Sequence, residues 1–134
     1  MVKYAKDRHY LPTHEWVKLE ADEAIAGISD YAQHELGDVV YVELPEVGDT
    51  FAQGEAFATV ESVKAASDVY MPMSGAILAI NEELQDSPQL VNEDTFGRGW
   101  FIRFHPSQPD EYESLMDAKA YQEHCQEEAE RGGS

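Results

Sequence analysis

The chain has 134 residues, enough for one domain that buries roughly two-thirds of its unfolded surface and too few to call for a second. At 43% hydrophobic and 27% charged it has an ordinary globular balance, which argues against wholesale disorder. Its 27 acids against 9 bases leave a formal net charge of −18, which would repel phosphate backbones and anionic membranes, so neither nucleic acid nor a membrane is an expected partner.

The first residues, MVKYAKDRHYLP, carry Lys3, Lys6 and Arg8 with no apolar run behind them, so they lack the centre of a secretory signal. No segment reaches the length of a membrane span. The lone Cys125 cannot form an internal disulfide, and a reducing, cytoplasmic setting is expected. Strand-like runs then dominate: Ala24 to Ile28, Val39 to Leu44, Phe57 to Glu61, Ala76 to Ile80 and Trp100 to Phe104. Period-two alternation places Val40, Val42 and Leu44 on one face, and Trp100, Ile102 and Phe104 on another. Gly and Pro punctuate the runs at PEVGD, QGE and MPMSG, as tight turns require.

Helices are predicted as short inserts and a tail. Ser29 to Gly37 offers Ser29 or Asp30 as the cap and Gly37 as the left-handed stop. Asn81 to Asp86 predicts a second brief helix before Pro88. After Pro109, the spacing of Ala118, Tyr121, Cys125 and Ala129 predicts an amphipathic helix over about 110–129, packed on the sheet body, with Cys125 as a small buried hydrophobe. The expected fold is mainly β with short helices, a small barrel or sandwich in one domain over residues 1–130, followed by a flexible tail at 131–134.

One residue breaks the electrostatic pattern. Between Lys18 and Arg98 the only Lys or Arg is Lys64, in VESVKAASDVYMP, while the same span holds 17 acids. Strand-like sequence leads into Ser62 and away from Ala65, which puts Lys64 at a hairpin tip even though no Asn-Gly or Asp-Gly marks the turn. Small Ala65 and Ala66 leave its amine approachable. A solvated surface lysine is the usual fate of this residue, and the frame of turns around it is what raises another use.

GDTFAQGEAFATVESVKAASDVYMPMSG resembles the lipoyl-lysine region of the glycine cleavage system H protein family. The similarity continues, in the same order, through THEWVK (Thr13 to Lys18), the segment from Gly27 to Gly48, DSPQLVN (Asp86 to Asn92), Gly99 and Trp100, and DEYESLMDAKAY (Asp110 to Tyr121). Biotin-carrying domains usually set the lysine between two methionines, whereas Val63 and Ala65 flank it here. Lipoyl domains of the 2-oxo acid dehydrogenase complexes typically place an Asp just before it, and that too is absent.

The resemblance implies a barrel-sandwich hybrid, lipoyl-domain-like, with lipoate joined to Lys64 by an amide and Glu61 recognised during attachment. It implies a shuttle for the aminomethyl group of glycine, from a pyridoxal-phosphate glycine decarboxylase (P protein) to a folate-dependent aminomethyltransferase (T protein), with reoxidation by dihydrolipoyl dehydrogenase (L protein). Lipoate-attaching enzymes are further partners, and a monomer is expected. Thr13, Glu15 and Asp68 are implied contacts for the amine of the loaded arm, in an acceptor-lined cleft. Some members have His where this chain has Glu35, next to its own His34. A lipoyl relay that donates lipoate to other carriers needs the same lysine and stays open as the alternative.

Independent catalysis has little support. HEWVK, at His14, and HELGD, at His34, begin like a zinc-protease helix but lack the second His. The five His are scattered and Cys125 has no cysteine neighbour, so no metal site is expected. GRGWF lacks the glycines of a dinucleotide loop, and no serine sits in a nucleophile elbow.

Overall fold

The computed structural model describes residues 2–131. In chain order the elements are β1 (His9–Tyr10), β2 (Glu15–Glu20), β3 (Glu23–Ile28), α1 (Asp30–Leu36), β4 (Val39–Glu43), β5 (Thr50–Phe51), β6 (Ala56–Ser62), β7 (Ala66–Tyr70), β8 (Gly75–Ile80), α2 (Glu83–Asp86), α3 (Leu90–Glu93), β9 (Ile102–Pro106) and α4 (Ala118–Arg131), with a 3-10 turn at Pro109–Ser114. Two open antiparallel sheets result, one of six strands in the order β1-β2-β3-β9-β8-β5 and one of three in the order β4-β6-β7. The expected sandwich is present, and among the described residues neither sheet closes into a barrel.

The main core lies between the sheets. Val17, Ala26, Ile77, Ile102 and Phe104 of the larger sheet meet Val42, Val60 and Val69 of the smaller, with Met71 and Met73 filling the seam. Each of these side chains is essentially dry, and burying one of the larger is worth roughly 1.5–3 kcal/mol. Alternation held for Ile102 and Phe104 but failed elsewhere for a local reason. A register shift between Val39 and Tyr41 turns Val40 outward, to 52% exposure, while Val39 and Val42 go in. Trp100 precedes its strand and joins a second cluster instead of the sheet face.

That second cluster explains the C-terminal helix. Tyr10, Trp16 and Ile25 receive Ala118, Tyr121 and Cys125 from α4, with the Tyr10 and Tyr121 rings stacked 4.3 Å apart. The helix expected over 110–129 is not continuous. Met116 exchanges both backbone hydrogen bonds with Tyr10, at 2.8 and 3.0 Å, so the helical ladder cannot run through it. Asp117 then restarts the helix by accepting the amide of Ala120. Ala129 stays exposed. Arg131 ends α4, and the rest of the expected tail, 132–134, lies outside the described residues.

Candidate functional site

The β6–β7 hairpin pairs Glu61 with Ala66 and leaves Val63, Lys64 and Ala65 as its tip, all exposed. A serine replaces the turn signal that the sequence lacks. Ser62 Oγ accepts the amides of Lys64 and Ala65, at 3.3 and 3.1 Å, and its hydroxyl donates to the Ala65 carbonyl. The Ser62 amide donates to the same carbonyl at 2.7 Å, closing the loop. Ser62→Ala is therefore expected to cost about 1 kcal/mol of stability. Faster hydrogen exchange of the Lys64 and Ala65 amides would accompany it; unchanged protection there would contradict this role.

The tip is also tied to the body. The Val63 amide donates to the Asp38 carbonyl at 3.0 Å, so the α1–β4 connection holds the hairpin from the side. Ser29 caps α1 by accepting the Ala32 amide, and Gly37 stops it at φ +78°, a conformation that favours glycine. A β-carbon at Gly37 would lie 3.9 Å from Lys64 Cε, so the lysine stem passes beside this stop. Asn92 fixes the connection: its side chain donates to Gln33 and to the Gly37 carbonyl and accepts the Val39 amide. Lys64 itself makes no ion pair within 4.0 Å among the described residues. Its backbone is braced, and its side chain is open to solvent and free of a carboxylate clamp among the described residues.

A cleft of about 490 Å³ lies between the turn before β2, α1, β7 and the end of α4, lined by Thr13, Tyr31, Glu35, Ser67 and Glu128 among others. Thr13 is exposed on its wall, and its hydroxyl donates to Glu15 Oε1 at 2.5 Å. Glu15 lies behind it at 2% exposure, with Oε2 accepting the Tyr70 amide at 2.9 Å. One carboxyl group thus joins β2 of the large sheet to β7 of the small one. Burial lifts its pKa to about 7, against the opposing pull of the Thr13 and Tyr70 hydrogen bonds.

Asp68, expected beside Thr13 and Glu15, is not among the residues lining this cleft. Register across the small sheet places Glu43, Thr59 and Asp68 in one row on the outer face, and Asp68 lines a different depression with the other two. Side chains alternate along β7, so Ser67 turns the opposite way, toward the cleft. Glu61 lies on the outer face too, exposed, in the row Tyr41, Glu61 and Ala66. Glu35 lines the cleft, whereas neighbouring His34 turns back to Asp30 at 3.6 Å.

The model of the glycine cleavage H-protein family matches residues 8–128. This chain belongs to that family. It is 55% identical over 120 residues to the glycine cleavage system H protein of Alkaliphilus oremlandii, covering 90% of this chain and 94% of that one. Against the H protein of Shewanella frigidimarina the identity is 54% over 123 residues, covering 91% and 95%. The crystal structure of a glycine cleavage system H protein from Mycobacterium marinum superposes with a TM-score of 0.80 at 36% identity, covering 87% of this chain and 94% of that chain. As an H-protein family member the chain is a lipoyl carrier of the glycine cleavage system. No helix among the described residues is long and apolar enough to cross a membrane.

Family membership leaves individual residues to be judged on geometry. Ser62, Ser67 and Asn92 escaped the reading of the sequence; only the absence of an ordinary turn signal hinted that a side chain must close the loop at Ser62. The fold also gathers His14, His124 and Glu128, whose donor atoms lie within 4.8 Å of one another, although their scatter along the chain had counted against a metal.

Proposed function

We propose that Lys64 bears the lipoyl group in amide linkage, and that the chain uses it to carry the aminomethyl group of glycine from the decarboxylase to the folate-dependent aminomethyltransferase. The observation that carries this reading is the Lys64 amine: exposed, without a salt bridge among the described residues, and set on a braced hairpin tip in a chain matched to the family over residues 8–128. Acylation needs an amine that can shed its proton and approach an activated carboxyl, and a lysine in a firm ion pair would resist both. Once attached, the group supplies a reducible disulfide at the end of a long arm, which dihydrolipoyl dehydrogenase restores after each cycle. The chain itself contributes presentation and shelter and performs no chemistry alone.

Shelter depends on reach. Lysine stem and lipoyl chain together extend on the order of 12 to 14 Å, from about ten bonds near 1.5 Å. Ser67 is three residues from Lys64, so their Cα atoms are at most about 11 Å apart. An arm of that length can fold back to the cleft rim, where Thr13 stands in front of Glu15. An ammonium on the arm would find hydroxyl and carboxylate acceptors there, with Glu35 adding negative potential. Asp68 and Glu61, on the outer face with Glu43, are assigned to the surface that partners and lipoate-attaching enzymes meet. Acidic rows of this kind favour fast encounter with basic docking faces.

The test is reconstitution. Lipoylated chain mixed with glycine decarboxylase is expected to support exchange between the glycine carboxyl group and labelled bicarbonate, saturably in carrier concentration. A chain that accepts lipoate yet supports no exchange would point to lipoate relay and contradict the shuttle.

A further inference from the structure

His124 and Glu128 are four residues apart on α4, so they project from the same face about one turn from each other. His14 comes to them from the turn before β2, far away in sequence, with its backbone held at φ +84°. Its Nε2 lies 2.7 Å from Glu128 Oε2, and one donor atom from each of the three residues lies within 4.8 Å of the other two. A tetrahedral zinc ion, with bonds of about 2.0–2.1 Å, keeps neighbouring donors roughly 3.3 Å apart. Small side-chain rotations cover the difference.

The surroundings suit metal ligands. His124 Nε2 is 3.1 Å from the Pro12 carbonyl, which can only accept, so Nε2 carries the hydrogen and Nδ1 the lone pair. His14 Nδ1 is 2.7 Å from the Tyr121 hydroxyl, itself 2.5 Å from Ser29 Oγ. That hydroxyl pair can accept as well as donate, and by accepting from Nδ1 it leaves His14 Nε2 bare. An imidazole whose far nitrogen is oriented by a carbonyl or hydroxyl is the usual support behind a ligating histidine. Two imidazoles and one carboxylate match divalent ions of borderline softness better than magnesium or calcium.

We propose that His14, His124 and Glu128 form a binding site for a divalent transition-metal ion of the zinc class. His14 and Glu128 both line the cleft, so the fourth coordination position opens into it. Binding adds a further tie between the turn carrying Thr13, which leads into Glu15 of β2, and the end of α4. The site stands on its own residues and does not depend on lipoate.

The full chain is titrated with zinc by calorimetry and with cobalt(II) by absorption spectroscopy. Expected are one-to-one binding and the visible bands of tetrahedral cobalt, without thiolate charge transfer, because Cys125 is buried beside Tyr121 and is not a ligand. His124→Ala and Glu128→Gln, both on side chains outside the core, are each expected to weaken binding about tenfold or more. His105→Ala, exposed on β9, should match the parent. Absence of stoichiometric binding, parental affinity in His124→Ala, or thiolate bands that vanish in Cys125→Ser would each overturn the proposal.

Discussion

Replacing Lys64 with arginine is expected to abolish carrier activity while leaving the fold unchanged. Arginine keeps the positive charge and nearly the length of the stem, but its guanidinium stays protonated at any accessible pH and cannot be acylated as an amine is. The side chain is exposed and takes part in no ion pair among the described residues, so little stability should be lost. Parent and variant should therefore show the same denaturation midpoint. They should differ completely in glycine–bicarbonate exchange, with the variant at the level of a reaction lacking carrier. Residual exchange in Lys64→Arg would mean that another amine serves.

Glu15→Gln carries the second large effect, and its sign is set by burial. The folded carboxyl has its pKa raised from 4.5 to about 7, with burial as the main cause. An acid that is harder to ionise in the folded state lowers stability as pH climbs from its unfolded value to its folded one; the cost is fully present above about pH 7 and absent well below 4.5. Glutamine avoids it, because its oxygen can still accept the Tyr70 amide and its nitrogen can donate to the Thr13 hydroxyl. The advantage of Glu15→Gln over the parent should thus grow by about 2 kcal/mol between about pH 5 and pH 8, measured by urea unfolding. Parallel curves for the two chains would show that the carboxyl titrates near its ordinary value. The same variant should accept lipoate at the parental rate and release ammonia from the loaded carrier faster, since an ionised acceptor behind Thr13 is gone.

The parts of this fold that could be read from the sequence are those fixed by local rules. Ser29 and Gly37 bracket α1 because capping and the left-handed stop are decided within a turn of helix. Lys64 stood out because a single cation in an acidic span, flanked by strand-like runs, is a one-dimensional pattern. What escaped was settled across the chain. Val40 turned outward because β4 slips by a residue against β6, a pairing invisible in VVYVEL alone. The C-terminal helix broke at Met116 because β1, near the other end of the chain, takes its backbone bonds. Asp68 and Ser67 are adjacent in sequence and face opposite ways, Ser67 toward the cleft and Asp68 toward Glu43 and Thr59, a division set by the pairing of β6 with β7. His124 and Glu128 carry a local signal, four residues apart on a helix, but their third partner arrives only when the turn at His14 folds against α4.

The account rests on which amine holds the acyl chain. The chain has four other lysines, Lys3, Lys6, Lys18 and Lys119. The direct measurement is peptide mapping by tandem mass spectrometry after the full chain is incubated with lipoate, ATP and a lipoate-attaching ligase. One lipoyl group on the peptide containing Lys64, with the other four unmodified, is the predicted result. Lipoate on any other lysine, or a chain that stays unmodified while a known carrier is labelled alongside it, would contradict the assignment of the hairpin tip.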